Sequence, residues 1–131
     1  MQKTNNFGCL LSAANLLSRL NDGVLRIYDC RFSLFDKNKG YSSYLSGHIP
    51  GASYVHLDND LSGSVTPRTG RHPIPNVDRF TERLGSLGIE RSNWVVIYDE
   101  GACAQAARFW WLLRWAGHEN VTVLDGGFRA W

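Results

Sequence analysis

The chain has 131 residues, 44% hydrophobic and 20% charged, with fourteen Lys and Arg against twelve Asp and Glu for a formal charge of +2. That length matches one domain of the usual ~100–150 residues and suffices to bury a core without disulfides or metal, while the composition excludes collagen, coiled coil and disorder as whole-chain descriptions. A charge so near neutral gives no electrostatic case for a nucleic-acid or anionic-membrane partner, and three cysteines, Cys9, Cys30 and Cys103, make no disulfide framework and share no metal-ligand spacing.

At the N-terminus, one lysine, Lys3, precedes an apolar patch from Cys9 to Leu17 that Asn15, Ser18 and Arg19 interrupt. It makes a poor signal peptide, and no apolar run reaches the ~18–20 residues of a membrane span. The expected compartment is the cytoplasm. Ser12 predicts an N-cap for a helix over Ala13–Leu20 ended by Gly23. Val24–Tyr28 is β-rich and runs into Asp29, and Arg31–Lys39 reads as loop. Tyr41–Leu45 predicts a short helix stopped by Gly47. Pro50 and Gly51 make a turn, after which Ser53–His56 reads as a short strand.

Ser62–Pro75 is a long loop, with Gly63, Pro67, Gly70, Pro73 and Pro75; loops of that length in a small domain usually carry function. Val77, Phe80, Leu84 and Leu87 mark one helix face. Trp94–Tyr98 is an unbroken apolar run, as a buried parallel strand requires. Ala102–Ala116 predicts a helix apolar nearly all round, hence covered on more than one side. Val121–Leu124 is a further buried strand, and Gly126-Gly127 opens a last segment to Trp131. Alternating strands and helices argue an α/β fold with a mostly parallel, doubly wound sheet and helices on both faces. No internal boundary divides residues 1–131.

In such sheets ligands bind beyond the carboxyl ends of the strands. That directs attention to Asp99-Glu100-Gly101-Ala102-Cys103-Ala104-Gln105-Ala106-Ala107-Arg108. A strand, a tight loop and a helix start there would gather backbone N–H groups suited to a phosphate, thiolate or persulfide.

The chain resembles the rhodanese (sulfurtransferase) family. The resemblance is carried by Gly47-His48-Ile49-Pro50-Gly51-Ala52, by Val95-Val96-Ile97-Tyr98-Asp99, by Ala106–Arg114 with Trp110-Trp111, by Gly117-His118, and by Val123-Leu124-Asp125-Gly126-Gly127 through Trp131, with Asp29 at a position where the family commonly has Asp. It implies a rhodanese-like fold and sulfur transfer through a cysteine persulfide, from thiosulfate or 3-mercaptopyruvate to an acceptor such as cyanide or a thiol. It implies no metal or organic cofactor, and small-molecule donor and acceptor as partners.

The family's nucleophile directly follows the strand that here ends at Tyr98, and this chain has Asp99 there. A carboxylate forms no persulfide. The pattern resembles the first of two tandem rhodanese domains, whose partner, a C-terminal rhodanese domain absent from this chain, bears the cysteine. In the mercaptopyruvate-type enzymes an acidic residue after the His-Ile-Pro-Gly-Ala strand and a His before a Pro reach across to form a serine-protease-like triad. The matching residues are His72 and either Asp58 or Asp60. Such a pair polarises a hydroxyl or shuttles a proton near neutral pH. Arg68 and Arg71 flank His72 and are candidates for an anionic donor.

Other readings compete. Cys103 and Arg108 keep the C-x-x-x-x-R spacing of a rhodanese active loop, close to that of related cysteine phosphatases. A first-turn cysteine would have a lowered pKa, making a single-domain enzyme of either kind; against it, the segment lacks the Gly and Ser that let a loop curl. A catalytically inactive binding or regulatory module is a third class. Cys9 and Cys30 read as small packed hydrophobes, His48 as a turn-fixing residue, His118 as a capping cation, and His56 has no evident partner. One of Trp110 and Trp111 should face the sheet and the other a partner.

Overall fold

A computed structural model of the chain describes residues 8–131; Lys3 lies outside them. The strands are β1 (Leu10–Leu11), β2 (Leu25–Asp29), β3 (Ser53–Tyr54), β4 (Trp94–Tyr98) and β5 (Val121–Leu124). They form one sheet in the order β1-β5-β4-β2-β3, with every pairing parallel. The helices are α1 (Ala13–Leu17), α2 (Lys39–Ser46), α3 (Leu57–Asp60), α4 (Val77–Ser86), α5 (Ala104–Trp115) and α6 (Gly127–Ala130).

Side chains alternate along β4, and the two sides of the sheet have separate cores. Val95 and Ile97 pack with Phe80 and Leu84 of α4 and Phe109, Leu112 and Leu113 of α5. Trp94, Val96 and Tyr98 pack with Leu16 of α1 and, at the edge, Tyr44 of α2 and Phe128 after Gly127. The expected α/β sheet covered on both faces is therefore present. β4 ends at Tyr98 and β2 at Asp29, side by side in register. Chain order reverses between these strands, which is where an α/β sheet leaves a crevice.

Several boundaries differ from expectation. Helix α1 stops at Leu17, three residues early, because Ser18 turns back and its hydroxyl donates to the Asn15 carbonyl at 2.8 Å. Ser12 caps it as expected, accepting from the Asn15 amide. The strand expected over Ser53–His56 ends at Tyr54, because His56 becomes the N-cap of α3. Helix α5 begins at Ala104 rather than Ala102. Its inner stripe is buried, but Trp111 is 47% exposed and stacks on Trp115 with ring centroids 6.1 Å apart. This chain leaves that outer side uncovered, while Trp110 packs against the core under the Arg114 guanidinium. Cys30 is buried; Cys9 is exposed, contrary to its reading as a packed residue. No helix among the described residues is long and apolar enough to cross a membrane.

Buried tyrosines give the fold an alkaline limit. Tyr28 is 1% exposed, donates to the Leu87 carbonyl at 2.7 Å, and burial pushes its pKa up to about 12. The folded state thus holds this proton more tightly than the unfolded chain, where tyrosine ionises near ~10. Stability is unaffected below pH ~10 and falls as pH rises toward 12, because the unfolded state then binds fewer protons. Urea unfolding at stepped pH is expected to show that decline, and Tyr28→Phe to make it shallower. An unchanged slope in the variant would reject the assignment.

Candidate functional site

The Asp99–Ala106 loop leaves the carboxyl end of β4 and curls its amides inward. They are already occupied. Asp99 Oδ1 accepts from the Gly101 and Cys103 amides, each at 3.0 Å, and Oδ2 accepts from the Ala106 amide at 3.1 Å. The side chain is 1% exposed. The loop folds in this way with few glycines because a carboxylate inside it supplies what an anionic ligand would supply from outside. Gly127 closes over the loop; a Cβ there would stand 2.6 Å from the Asp99 carbonyl oxygen.

Cys103 is not in the first turn of α5. It is the N-cap residue, in left-handed geometry at φ 65°, and its Sγ faces the Gly101 carbonyl at 3.8 Å. Burial, and then the nearby carboxylates of Asp99 and Asp125, push its pKa up rather than down. This geometry does not favour the competing reading of Cys103 as an activated thiolate: the amides that would stabilise it serve Asp99. Arg108 is not aimed at this loop either. Its Nη2 donates to the carbonyls of Leu61 and Pro73, both at 3.0 Å, and its Nε to Leu61 at 3.3 Å.

Asp29, at the end of neighbouring β2, is fully buried and paired with Arg31. Arg31 Nη2 lies 2.7 Å from Oδ2, Nε 3.0 Å from the same oxygen, and the Arg31 amide also donates to Oδ1. The guanidinium continues to the Gly47 carbonyl and lies 4.1 Å over the Phe128 ring. It therefore ties β2, the His-Ile-Pro-Gly-Ala turn and α6 together. His48 holds that turn through Nδ1 to the Tyr44 carbonyl at 2.8 Å, as expected.

The structure brings His72 and Asp58 together. His72 Nε2 stands 3.0 Å from Asp58 Oδ1, and both side chains are about one-fifth exposed, at 22% and 23%. A carboxylate only accepts, so Nε2 is the donor in this contact, and in the neutral ring Nδ1 is the acceptor. Asp60, the alternative, faces elsewhere: its Oδ1 takes Arg83 Nε at 2.6 Å and its Oδ2 the His56 amide at 2.8 Å. His56 has partners after all. Its Nδ1 accepts from the Asp58 and Asn59 amides, capping α3, and its Nε2 donates to the Lys37 carbonyl. Phe32 stands edge-on to both His56 and His72. Lys37 Nζ adds a cation 3.3 Å from Asp58 Oδ2.

A cavity of about 350 Å³ lies against Asp58, lined also by Lys37, His56, Ser62, Gly63 and Arg71. Of the two candidate arginines, Arg71 reaches it. Arg68 is exposed, with its amide on Thr66, and is not among the lining residues. His72 is not among them either; it meets the cavity through Asp58. His118 is no cation: its Nε2 lies 3.0 Å from the Asn93 carbonyl, and burial pushes its pKa below the ordinary histidine value, so it is neutral at pH 7. Lys37 and His56 went unassigned in the sequence. Only a three-dimensional neighbour shows that a lysine in a polar loop meets Asp58; Arg108 did carry a signal, its spacing to Cys103, but that signal pointed to the wrong loop.

Residues 12–131 match the model of the rhodanese-like domain. A "probable 3-mercaptopyruvate sulfurtransferase" of Pseudomonas aeruginosa is 44% identical over 124 residues, covering 93% of this chain and 44% of the relative. Thiosulfate/3-mercaptopyruvate sulfurtransferase 2 of Arabidopsis thaliana is 36% identical over 118 residues, 88% of this chain and 33% of the relative. Among solved structures, the 3-mercaptopyruvate sulfurtransferase from Leishmania major superposes with a TM-score of 0.85 at 32% identity, over 93% of this chain and 33% of that one. The chain spans less than half the length of these relatives.

Proposed function

The chain belongs to the rhodanese-like domain family, and from that premise we propose that it is the half of a two-domain sulfurtransferase that lacks the nucleophile. A cysteine thiolate on a second, C-terminal rhodanese domain attacks the sulfane sulfur of thiosulfate or the sulfur of 3-mercaptopyruvate. The S–S or C–S bond breaks, sulfite or the enolate of pyruvate leaves, the enolate takes a proton, and the protein keeps a persulfide. Cyanide or a thiolate then attacks the outer sulfur and regenerates the thiolate.

The observation that carries this reading is Asp99, whose carboxylate fills the loop where an active domain holds its thiolate and persulfide. This half closes the cleft and contributes the His72–Asp58 pair, whose imidazole takes or returns a proton. Arg71 and Lys37, at the cavity beside Asp58, suit an anionic donor.

The 131-residue chain alone is expected to show no cyanolysis of thiosulfate. Turnover that Cys103→Ser abolishes would overturn the assignment and install a single-domain enzyme. Supplied with a rhodanese domain that bears the nucleophile, the chain is expected to restore transfer and to lose it with His72→Ala. No restoration would favour the inactive binding module.

A further inference from the structure

Asp58 and His72 lie on different segments, joined by a loop that bonds chiefly within itself, between Thr66 and Thr69. Two strangers in a loop of this kind meet at 3.0 Å only if both arms are held where the loop leaves the fold. Asp58 is held in α3, whose C-cap is Leu61, and His72 is bonded directly to Pro73. Arg108, one turn into the rigid α5 and half-buried, donates to the carbonyls of those same two residues. The second arm needs this more than the first, since proline has no N–H with which to anchor itself. Beneath the guanidinium the Gly63 amide adds a bond to the Pro73 carbonyl at 3.0 Å, and a Cβ at Gly63 would come 2.9 Å from the Ile74 carbonyl oxygen, so the arms are in contact there. A planar fork with fixed donor directions spans two carbonyls; an ammonium on a flexible stem does not.

We propose that Arg108 is a positioning residue for the His72–Asp58 pair, its guanidinium clasping both arms of the loop so that imidazole and carboxylate stay in register. The proposal rests on reading that pair as functional, but its test does not depend on catalysis. The His72 Nε2 proton, held by Asp58, is expected as an exchange-protected downfield NMR resonance in the 131-residue chain, identified by its absence in His72→Gln and Asp58→Asn. Arg108→Leu is expected to accelerate its exchange about tenfold or more, with amide signals of β4 and β5 unmoved. An unchanged ring proton in a folded Arg108→Leu chain overturns the proposal. Should Arg108→Leu not fold, Arg108→Lys decides on the same resonance: it keeps the charge and loses the fork, so a wild-type exchange rate there overturns the clasp. A sulfurtransferase assay that fails while the ring proton responds rejects the functional reading and leaves the clasp standing.

Discussion

Replacing Asp99 by alanine is expected to lower the unfolding free energy by about 3–5 kcal/mol. The carboxylate accepts from three amides inside a loop where it is 1% exposed. Hydrogen bonds to a charged acceptor contribute ~1.5–3 kcal/mol each, and amides stranded without one cost a further desolvation penalty. Loop relaxation and entering water reduce the sum, which is why the expected loss is less than three full bonds. Asparagine has the shape but not the chemistry, because one end of its amide must turn a donor toward an N–H. It is expected to cost about half as much. Urea unfolding gives the answer if the midpoint moves while the slope holds. A loss below about 1 kcal/mol for alanine would mean that the amides find other acceptors and that the carboxylate does not organise this loop.

Asp29→Ala is expected to cost a similar amount, about 3–5 kcal/mol, for a different reason. Arg31 is 6% exposed, over Phe128 and against the Gly47 carbonyl. Without Asp29 its charge stays buried and uncompensated. Removing both charges, as in Asp29→Leu with Arg31→Met, is expected to recover much of the loss, since apolar residues of similar volume replace buried ion pairs at little cost. The double-mutant cycle separates the two outcomes. Strict additivity of the two single losses would show that the charges act independently, which the 2.7 Å contact contradicts.

The central strands could be read directly because their chemistry is local. Trp94–Tyr98 and Val121–Leu124 are apolar throughout, and both appear with the boundaries their sequences mark. Leu10–Leu11 is two residues long and becomes a strand only by lying against β5, so no periodicity announces it. Helix α3 is one turn, begun by a histidine that acts as an acceptor in place of the usual Ser or Asp cap. In the site, His72 and an acidic partner were legible through family resemblance, but choosing Asp58 over Asp60 required the fold. The two alternate along one helical turn and so point to different neighbours, His72 for one and Arg83 for the other. The spacing of Cys103 to Arg108 could not decide the reading of that cysteine, because spacing records order along the chain, not which group already occupies the amides.

The all-parallel strand order has a kinetic consequence. No two neighbouring strands are joined by a tight turn, so every pairing waits on a crossover, and topologies dominated by distant pairings fold slowly. Leu25 must find Trp94, and Leu10 must find Val123. During synthesis at ~5–20 residues per second, β2 therefore leaves the ribosome several seconds before its long partner exists. Trp94–Tyr98 then emerges uncharged and rich in β-formers, with β5 still inside the tunnel. Until Val121–Leu124 follows, one side of this strand stays open to any other extended chain, and protecting that edge is the task that a nascent-chain chaperone would meet first.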